Sequence, residues 1–267
     1  MHLPTPNPVF RWTAEPWGHG LVCTPLQSSA QHLFTTRQLQ LRPATSAGSH
    51  SSAWTQATAS LKAGPDQLMR ISQVHGHTVR VVRRGERSLG DQQARPEADA
   101  IVANEPDLVL AVQVADCVPM LIADRRTGVA GAVHAGWRGT CAGIAPAAVA
   151  TLAREFGTEP GSLIVAMGPS IGACCYDVGA ELLDAFRTAG ATDDQLDRWF
   201  VRAPTGSLRL DLWTVNSDQL VAAGVAADHI HVSGLCTQTH VDVFESYRAE
   251  GAAAGRMAAL IRVPHGS

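Results

Sequence analysis

The sequence LVLAVQVADCVPMLIA, residues 108–123, carries the strongest signal for the fold of this chain. Two continuous apolar runs, Leu108–Val114 and Val118–Ala123, flank the polar pair Asp116-Cys117, and a third run follows at Val129–Val133. Apolar runs without polar alternation are typical of strands that are buried on both faces. The centre of the chain therefore predicts a sheet that other layers cover on each side.

Helical and extended patterns alternate outward from this centre, which predicts an α/β or α+β domain. The remaining predicted strands are Gly20–Thr24, His32–Thr36, Gln67–Val74, Thr78–Val82, Leu163–Met167, Leu208–Leu210, His229–Ser233 and Ala258–Val263. The predicted helices are Ala53–Ala63, Gly139–Phe156, Val178–Ala189 and Leu212–Ala223, with Pro146 either kinking the second helix or lying in its first turn. The sequence shows neither an internal repeat nor a linker, so we expect one domain over residues 1–267, with an irregular, Pro-rich lead-in at residues 1–18.

Composition excludes several classes of protein. Of the 267 residues, 45% are hydrophobic and 17% charged, which is typical of a globular chain and not of a disordered one. The net charge of −3 gives no electrostatic reason to expect binding to nucleic acid or to an anionic membrane. No apolar run approaches the roughly 20 residues that a membrane-spanning helix needs. Residues Met1–Arg11 show no secretory signal and the six cysteines are irregularly spaced, so we expect reduced thiols in the cytoplasm.

Three distant residues, His75, Cys117 and His134, predict one metal site. Each follows a β-rich apolar run, and each is flanked by small or charged residues. Taken singly, a turn histidine and a buried thiol are the ordinary interpretations. Two imidazoles and a thiolate together are good ligands for Zn²⁺, and a three-ligand set leaves a fourth position open, as in catalytic sites. The separations are not those of a zinc finger, so the fold must bring the ligands together.

Other polar residues near these motifs are candidates for substrate contacts. Arg138 suits a bidentate contact with phosphate or carboxylate, although a surface arginine at a helix start is the simpler interpretation. Asp116 either orients a ligand, transfers a proton or caps the end of a strand. Gln73 either hydrogen-bonds to a metal ligand or occupies a solvated strand position. The adjacent pair Cys174-Cys175 is best interpreted as packing, since a redox pair needs a Cys-x-x-Cys arrangement or strong activation.

The motifs together resemble the YfiH-like family, also called the multicopper polyphenol oxidoreductase (laccase-domain) or purine nucleoside phosphorylase family. The resemblance runs in order from about Phe34 to Val263. It is carried by Ser72-Gln73-Val74-His75-Gly76, Ala115-Asp116-Cys117-Val118-Pro119, Ala132-Val133-His134-Ala135-Gly136-Trp137-Arg138-Gly139, Gly168-Pro169-Ser170-Ile171-Gly172, Cys236-Thr237, Ser246-Tyr247-Arg248 and Gly255-Arg256-Met257-Ala258.

This resemblance implies a layered α/β/β/α sandwich with mixed sheets, similar to the catalytic domain of cytotoxic necrotising factor toxins. It implies that His75, Cys117 and His134 are the metal ligands. It implies phosphorolysis of adenosine, inosine and methylthioadenosine, and deamination of adenosine. Copper-dependent oxidation of polyphenols has also been attributed to the family, and some bacterial members resemble amidases that edit muropeptide precursors.

One segment departs from the family pattern. After Thr35-Thr36-Arg37 the family has a Gly-Gly-Val-Ser loop and then Ser-Leu-Asn-Leu-Gly, whereas this chain continues with Gln38–Pro43 and a Ser/Ala-rich stretch. A changed loop at the substrate pocket would change the choice of substrate.

Our leading hypothesis is a zinc-dependent enzyme acting on purine nucleosides and phosphate, with neither nucleic acid nor membrane as partner. In this hypothesis a bound zinc ion would supply hydroxide for deamination, Asp116 would transfer a proton, and Arg138 together with Arg37 would hold the phosphate. A second hypothesis makes Cys117 the nucleophile and His134 the base of an amide hydrolase. A third is a copper phenol oxidase, although a blue-copper centre needs an axial ligand and a multinuclear cluster needs more paired histidines. A fourth is a binding module without catalysis.

Overall fold

The computed structural model describes residues 2–41, 50–86, 95–124, 126–204 and 206–264. Strands, in chain order, are β1 (Phe10–Glu15), β2 (Gly18–Cys23), β3 (His32–Thr35), β4 (Leu68–Arg70), β5 (Val79–Val81), β6 (Ala100–Ala103), β7 (Val109–Val114), β8 (Val118–Asp124), β9 (Val129–Ala135), β10 (Ile164–Met167), β11 (Asp177–Val178), β12 (Phe200–Arg202), β13 (Leu208–Leu210), β14 (Ile230–Val232) and β15 (Met257–Arg262). Helices are α1 (Thr24–Gln27), α2 (His50–Ser60), α3 (Trp137–Cys141), α4 (Ile144–Phe156), α5 (Ala180–Thr188), α6 (Asp193–Trp199), α7 (Leu212–Ala222) and α8 (Tyr247–Glu250).

The strands form two large mixed sheets and one small one. The first sheet has the order β1-β2-β3-β15-β7-β4, in which β4 runs parallel to β7 and the other neighbours are antiparallel. The second sheet has the order β14-β10-β8-β9-β6-β5, with parallel pairs at both edges. A three-stranded antiparallel sheet, β11-β13-β12, lies apart from both.

Strand β7 shows why the central runs are almost entirely apolar, with Gln113 as its one polar residue. Val109 and Ala111 pack in one core cluster with Trp54 of α2, on the outer face of the first sheet. Leu110 and Val112 belong to a different cluster, which also contains residues of the second sheet. Successive side chains of a strand point to opposite faces, so both faces of β7 are buried.

Strand β8 completes the layering on the other side. Leu121 lies in the cluster between the sheets. Met120 and Ile122 pack instead with Val149 of α4 and Val215 of α7. The layers are therefore helix, sheet, sheet and helix, which confirms the predicted mixed-sheet sandwich; the likeness to the toxin domain stays a prediction.

Two of the three predicted metal ligands lie where the chain passes from the first sheet to the second. His75 lies between β4 and β5, and Cys117 lies between β7 and β8. Both passages use a left-handed backbone at a residue other than glycine, with φ of 61° at His75 and 83° at Asp116. Such conformations are uncommon and persist only where the surrounding structure holds them, often at functional sites.

The helix predicted over Gly139–Phe156 is two helices, so that prediction was wrong in its continuity. Gly143 takes a φ of 79° between α3 and α4, and a left-handed residue ends the first helix. Pro146 lies in the first turn of α4, one of the two alternatives, where its missing N–H costs no hydrogen bond.

Several other segments differ from expectation. The lead-in predicted to be irregular contains β1, which pairs with β2 in the register Phe10↔Cys23. Strand β6 was missed because it has only four residues and two of them are alanine, which has a weak preference for strands, although all four are buried. The strand predicted over Gln67–Val74 shortens to β4. Among the described residues, no helix combines the length and the apolarity that a bilayer crossing requires.

Candidate metal and active site

The side chains of His75, Cys117 and His134 converge at one end of the sandwich. Their potential ligand atoms all lie within 4.8 Å of one another. The two imidazole rings meet edge to face, with centroids 4.9 Å apart and planes at 76°. His134 lies on β9 and is buried, whereas His75 is exposed. The structure thus brings together the three residues that the sequence singled out.

A fourth residue, Asp99, positions the members of this cluster, and we did not predict its role from the sequence. Its side chain is fully buried, and its Oδ1 lies 2.8 Å from Nδ1 of His134. The same carboxylate accepts backbone N–H groups from His75 at 3.0 Å and from Gly76 at 2.6 Å. A carboxylate that accepts a hydrogen bond from one imidazole nitrogen fixes the tautomer of the ring. The other nitrogen is then free to bind a metal. The signal available in the sequence was a lone acidic residue at the start of the apolar run Ala100–Ala103.

Electrostatic interactions in the cluster favour charged groups in the metal-free protein. Burial raises the pKa of the Cys117 thiol, but the charge of His134 and hydrogen bonds from both histidines outweigh burial and lower it. Burial lowers the pKa of His134, but the Cys117 thiolate and Asp99 outweigh burial and raise it. Both shifts favour a thiolate at Cys117 and an imidazolium at His134. A thiolate is the form of cysteine that ligates metals and acts as a nucleophile.

Two glycines permit the close approach of the ligand-bearing segments. A Cβ atom on Gly136 would lie 2.8 Å from Sγ of Cys117 and 3.1 Å from Cδ2 of His75. A Cβ atom on Gly139 would lie 2.9 Å from the carbonyl oxygen of Gly76. A side chain at either position would push the His75 turn away from α3.

A cavity of about 630 Å³ opens beside the three ligands. Its wall carries cationic and aromatic side chains, namely Arg95, Arg138, Arg248, Arg256, Tyr176 and Tyr247. The Arg138 guanidinium lies 4.4 Å from the centroid of the Trp137 ring, and that of Arg248 lies 5.0 Å from the Tyr176 ring. Cations beside aromatic faces suit a planar ligand that also carries negative charge.

Asp116 lies at the cavity, but both of its carboxylate oxygens are already engaged. Oδ1 accepts the hydroxyl of Thr237 at 2.6 Å, and Oδ2 accepts the backbone N–H of Arg248 at 2.6 Å. These bonds tie the Cys117 turn to the C-terminal segment that carries Arg248. The contacts fit a positioning residue better than the proton transfer that we expected.

Gln73 also lines the cavity with its amide engaged. Its Nε2 donates to the carbonyl oxygen of Gln113 at 2.7 Å, and its Oε1 accepts the N–H of Gln113 at 2.7 Å. The side chain therefore continues the pairing of the His75 segment with β7.

Arg37 is the one predicted site residue that the structure places elsewhere. Its guanidinium contacts Glu245 at 3.5 Å and Glu250 at 2.9 Å and bonds to the carbonyl oxygen of Val241. It is not among the described residues that line the cavity. Two carboxylates hold this cation in the C-terminal segment, so a contact between Arg37 and phosphate stays a prediction that its position does not support. The altered loop that follows it reaches residues 42–49, which lie outside the described part of the chain.

The donor set fits a tetrahedral Zn²⁺ ion. Zinc bonds of about 2.0–2.1 Å to nitrogen and 2.3 Å to sulfur place tetrahedral ligands about 3.3–3.6 Å apart. The separations of up to 4.8 Å would close to this range through small side-chain rotations. The hydrogen bond from His134 to Asp99 supplies the partner that metal-bound histidines usually have. All three residues line the cavity, so an ion held by them would face it.

Known proteins resemble this chain over most of its length. Residues 43–264 match the family described as multi-copper polyphenol oxidoreductase laccase. A purine nucleoside phosphorylase of Bacteroides thetaiotaomicron is 32% identical over 202 residues, 74% of each chain. The adenosine deaminase RL5 of an unknown prokaryotic organism is 38% identical over 195 residues, 72% of this chain and 73% of its own. The crystal structure of YlmD from Geobacillus stearothermophilus superposes with a TM-score of 0.83 at 30% identity, covering 96% of this chain and 99% of that one.

Proposed function

The chain belongs to the multi-copper polyphenol oxidoreductase laccase family, and from this premise we propose that it is a zinc-dependent purine nucleoside phosphorylase. Adenosine, inosine and methylthioadenosine are its proposed substrates, and deamination of adenosine is its second proposed reaction. The observation that carries the proposal is a His/Cys/His set on the wall of a cavity lined by arginines and tyrosines. Relatives named purine nucleoside phosphorylase and adenosine deaminase support the choice of substrate class.

His75, Cys117 and His134 would hold the ion, and Asp99 would orient His134 and the His75 turn. When bound, such an ion acts as a Lewis acid and lowers the pKa of water in its open position. The residues themselves bind, orient and shield the substrate. Tyr176 and Tyr247 offer apolar ring faces to the purine, and the exposed ring of Tyr247 remains accessible to a ligand.

In phosphorolysis, an oxygen of inorganic phosphate forms a bond to C1′ of the ribose while the bond from C1′ to the purine nitrogen breaks. The purine leaves with the bonding electron pair and takes up a proton. Arg138 and Arg248 both line the cavity, so their guanidinium groups are the proposed phosphate ligands. Asp116 supports this step by holding the backbone of Arg248.

An assay of adenosine with phosphate tests the proposal. We expect the zinc-loaded protein to release ribose 1-phosphate and adenine, and to release inosine when phosphate is omitted. His75→Ala should lose both products, while His231→Ala, on β14, should keep them. Absence of product from every nucleoside with zinc-loaded wild-type protein would overturn the proposal.

A Cys/His amide hydrolase is the second candidate, because Cys117, His134 and Asp99 line up as nucleophile, base and orienting carboxylate. Its proposed substrates are amide bonds of muropeptide precursors. His75 separates the two candidates, since it completes the metal site but contributes only a hydrogen bond to Cys117 in this arrangement, so its removal should weaken hydrolysis without abolishing it. Hydrolysis of an amide substrate that survives His75→Ala and zinc removal, and is lost in Cys117→Ser, would favour the hydrolase.

A copper-dependent phenol oxidase has less support from the side chains. Within the described ranges, histidines, cysteines and acidic residues converge in two groups of three, and one of those groups contains no histidine. A multinuclear copper cluster uses many paired histidines. Oxygen uptake by copper-loaded protein in the presence of a phenol tests this alternative.

A further inference from the structure

A second cluster of soft ligands lies apart from the proposed zinc site. The sulfur atoms of Cys174, Cys175 and Cys236 all lie within 4.8 Å of one another. Cys174 and Cys175 follow one another in a turn, with their sulfurs 3.6 Å apart, so they are not joined by a disulfide. Cys236 comes from a distant part of the chain, where Ser170 and Cys236 form an isolated parallel bridge. The fold therefore assembles these thiols, as it assembles the first cluster.

We propose that Cys174, Cys175 and Cys236 bind one Cu(I) ion through three sulfur atoms. This site is separate from the proposed function, since it shares no ligand with His75, Cys117 and His134. The proposal concerns binding, and no electron transfer or covalent step is part of it.

The spacing of the sulfurs fits a three-coordinate ion. With metal–sulfur bonds of about 2.3 Å, three sulfurs around one ion in a plane are about 4.0 Å apart. The observed separations, from 3.6 Å to a limit of 4.8 Å, bracket this value. Because Cys174 is exposed and Cys175 partly so, an ion can reach the cluster without opening the core.

The identity of the ligands selects the ion. Soft thiolates select Cu(I), Zn²⁺ and iron–sulfur clusters, and a tetrahedral set of four sulfur or nitrogen ligands is typical of zinc. Here a fourth imidazole or carboxylate is missing from the described side chains that converge at the cluster. The group nearest to a fourth ligand is the hydroxyl of Thr239, at 3.6 Å from Sγ of Cys174 and 3.4 Å from Sγ of Cys175. A neutral hydroxyl is a poor ligand, so three sulfurs favour Cu(I).

The buried member of the cluster is already oriented by the backbone. Sγ of Cys236 accepts the N–H of Gly172 at 3.3 Å, and a Cβ atom on Gly172 would come within 3.4 Å of Sγ of Cys174. Hydrogen bonds from the surroundings orient ligand atoms and are part of built metal sites. The Gly172 turn thus holds the sulfur of Cys236 and lies next to the sulfur of Cys174.

The cluster also adjoins the wall of the cavity. Tyr176 directly follows Cys175 and lines the cavity, as does Ile171, which precedes Gly172. Thr237 follows Cys236 and donates to Asp116 at 2.6 Å. An ion held by the three thiols would therefore stabilise the segments that shape the substrate site, without contacting the substrate.

An anaerobic Cu(I) titration in competition with a chromogenic chelator tests the proposal. The parent protein is Cys117→Ser, which lacks the sulfur of the first site. We expect it to bind one equivalent of Cu(I), with a copper-edge X-ray spectrum that shows three sulfur neighbours. Adding Cys236→Ser should weaken binding at least tenfold. Adding Cys141→Ser, the control at a partly buried cysteine outside both clusters, should leave the affinity unchanged.

Cys174→Ser covers the case in which Cys236→Ser fails to fold, because Cys174 is exposed. The proposal is overturned if the parent binds no Cu(I), if both cluster variants bind as tightly as the parent, or if the spectrum shows nitrogen or oxygen in place of a sulfur. Nucleoside turnover by wild-type protein with zinc reports separately on the proposed function.

Discussion

Nδ1 of His134 lies 2.8 Å from Oδ1 of Asp99, whose side chain is fully buried. Because the same carboxylate accepts the backbone N–H groups of His75 and Gly76, one side chain sets the positions of two proposed ligands. Burial raises the pKa of Asp99, but His134 and these N–H donors outweigh burial and lower it. The carboxylate is therefore ionised and suited to an acceptor role at neutral pH.

Replacing this carboxylate should weaken the metal site. Asp99→Asn retains the size of the side chain but presents an NH₂ group to donors, so we expect zinc affinity to fall about 10–100-fold. Competition with a zinc indicator measures the change. Asp197→Asn, at an exposed position on α6, is the control for loss of one carboxylate. Unchanged zinc affinity in Asp99→Asn would contradict the role of Asp99.

Gly136 should tolerate no side chain. The added methyl of Gly136→Ala would lie 2.8 Å from Sγ of Cys117, so either the turn or the sulfur must move. We expect at least tenfold weaker zinc binding and a loss of about 1–3 kcal/mol in the free energy of unfolding of the metal-free protein. Gly161→Ala is the matched control, because its Cβ would lie 3.8 Å from the nearest atom. Wild-type zinc affinity in Gly136→Ala would show that the close approach does not matter.

The two arginines that we expected at the phosphate should behave differently. Arg138→Ala should raise the KM for phosphate at least tenfold, because a cavity cation is lost. Arg37→Ala should leave that KM within about twofold but destabilise the fold by about 1–3 kcal/mol, since Glu245 and Glu250 would both lose their ion pair with Arg37. Steady-state kinetics and urea unfolding on both variants make the comparison. A large rise in the KM for phosphate in Arg37→Ala would instead show that Arg37 contributes to phosphate binding.

Stability should fall in acid because of His32. Burial, the largest effect, lowers its pKa to about 4 from 6.5, and the charge of Arg11 lowers it as well, whereas the contact with the Ala30 carbonyl raises it. The neutral ring accepts the N–H of Cys23 at 2.8 Å. The unfolded chain binds this proton at higher pH, so the stabilisation is complete above about pH 6.5 and is lost as pH falls towards about 4. At about 1.4 kcal/mol per pKa unit, the loss is at most about 3 kcal/mol.

Urea unfolding between pH 4.5 and 7.5 measures this dependence. His32→Gln keeps an acceptor for Cys23 and cannot titrate, so its free energy of unfolding should vary less with pH than that of wild type. His2→Gln, near the exposed N-terminus, should keep the wild-type slope. If the free energy of unfolding varied with pH equally in wild type and His32→Gln, His32 would not be the cause of the loss of stability in acid.

The sequence identified the first cluster because its ligands lie in short motifs beside apolar runs. Their convergence is confirmed by the geometry, whereas metal binding itself stays a prediction. Asp99 could not be recognised in the same way, because its partner on β9 becomes a neighbour only through the pairing of β6 with β9. Arg37 shows the converse. It sits beside a family motif in sequence, but two glutamates more than 200 residues further along the chain determine where its guanidinium lies.

Secondary structure was predictable where one local signal dominated. The runs that became β7, β8 and β9 carry apolar residues on both faces. This pattern indicates a strand that is buried on both sides. Strand β1 has weak local preference and forms through its pairing with β2. The break between α3 and α4 depends on the left-handed conformation of Gly143, which a glycine permits but does not require.

His75 and Cys117 occupy two of the passages between the first and second sheets, β4 to β5 and β7 to β8, and His134 belongs to the second sheet itself. An ion bound by all three would therefore cross-link the two halves of the sandwich. Metal affinity would then depend on the distance between the sheets. A truncation in the shared core, such as Leu110→Ala, would lower that affinity although Leu110 is not a ligand of the ion.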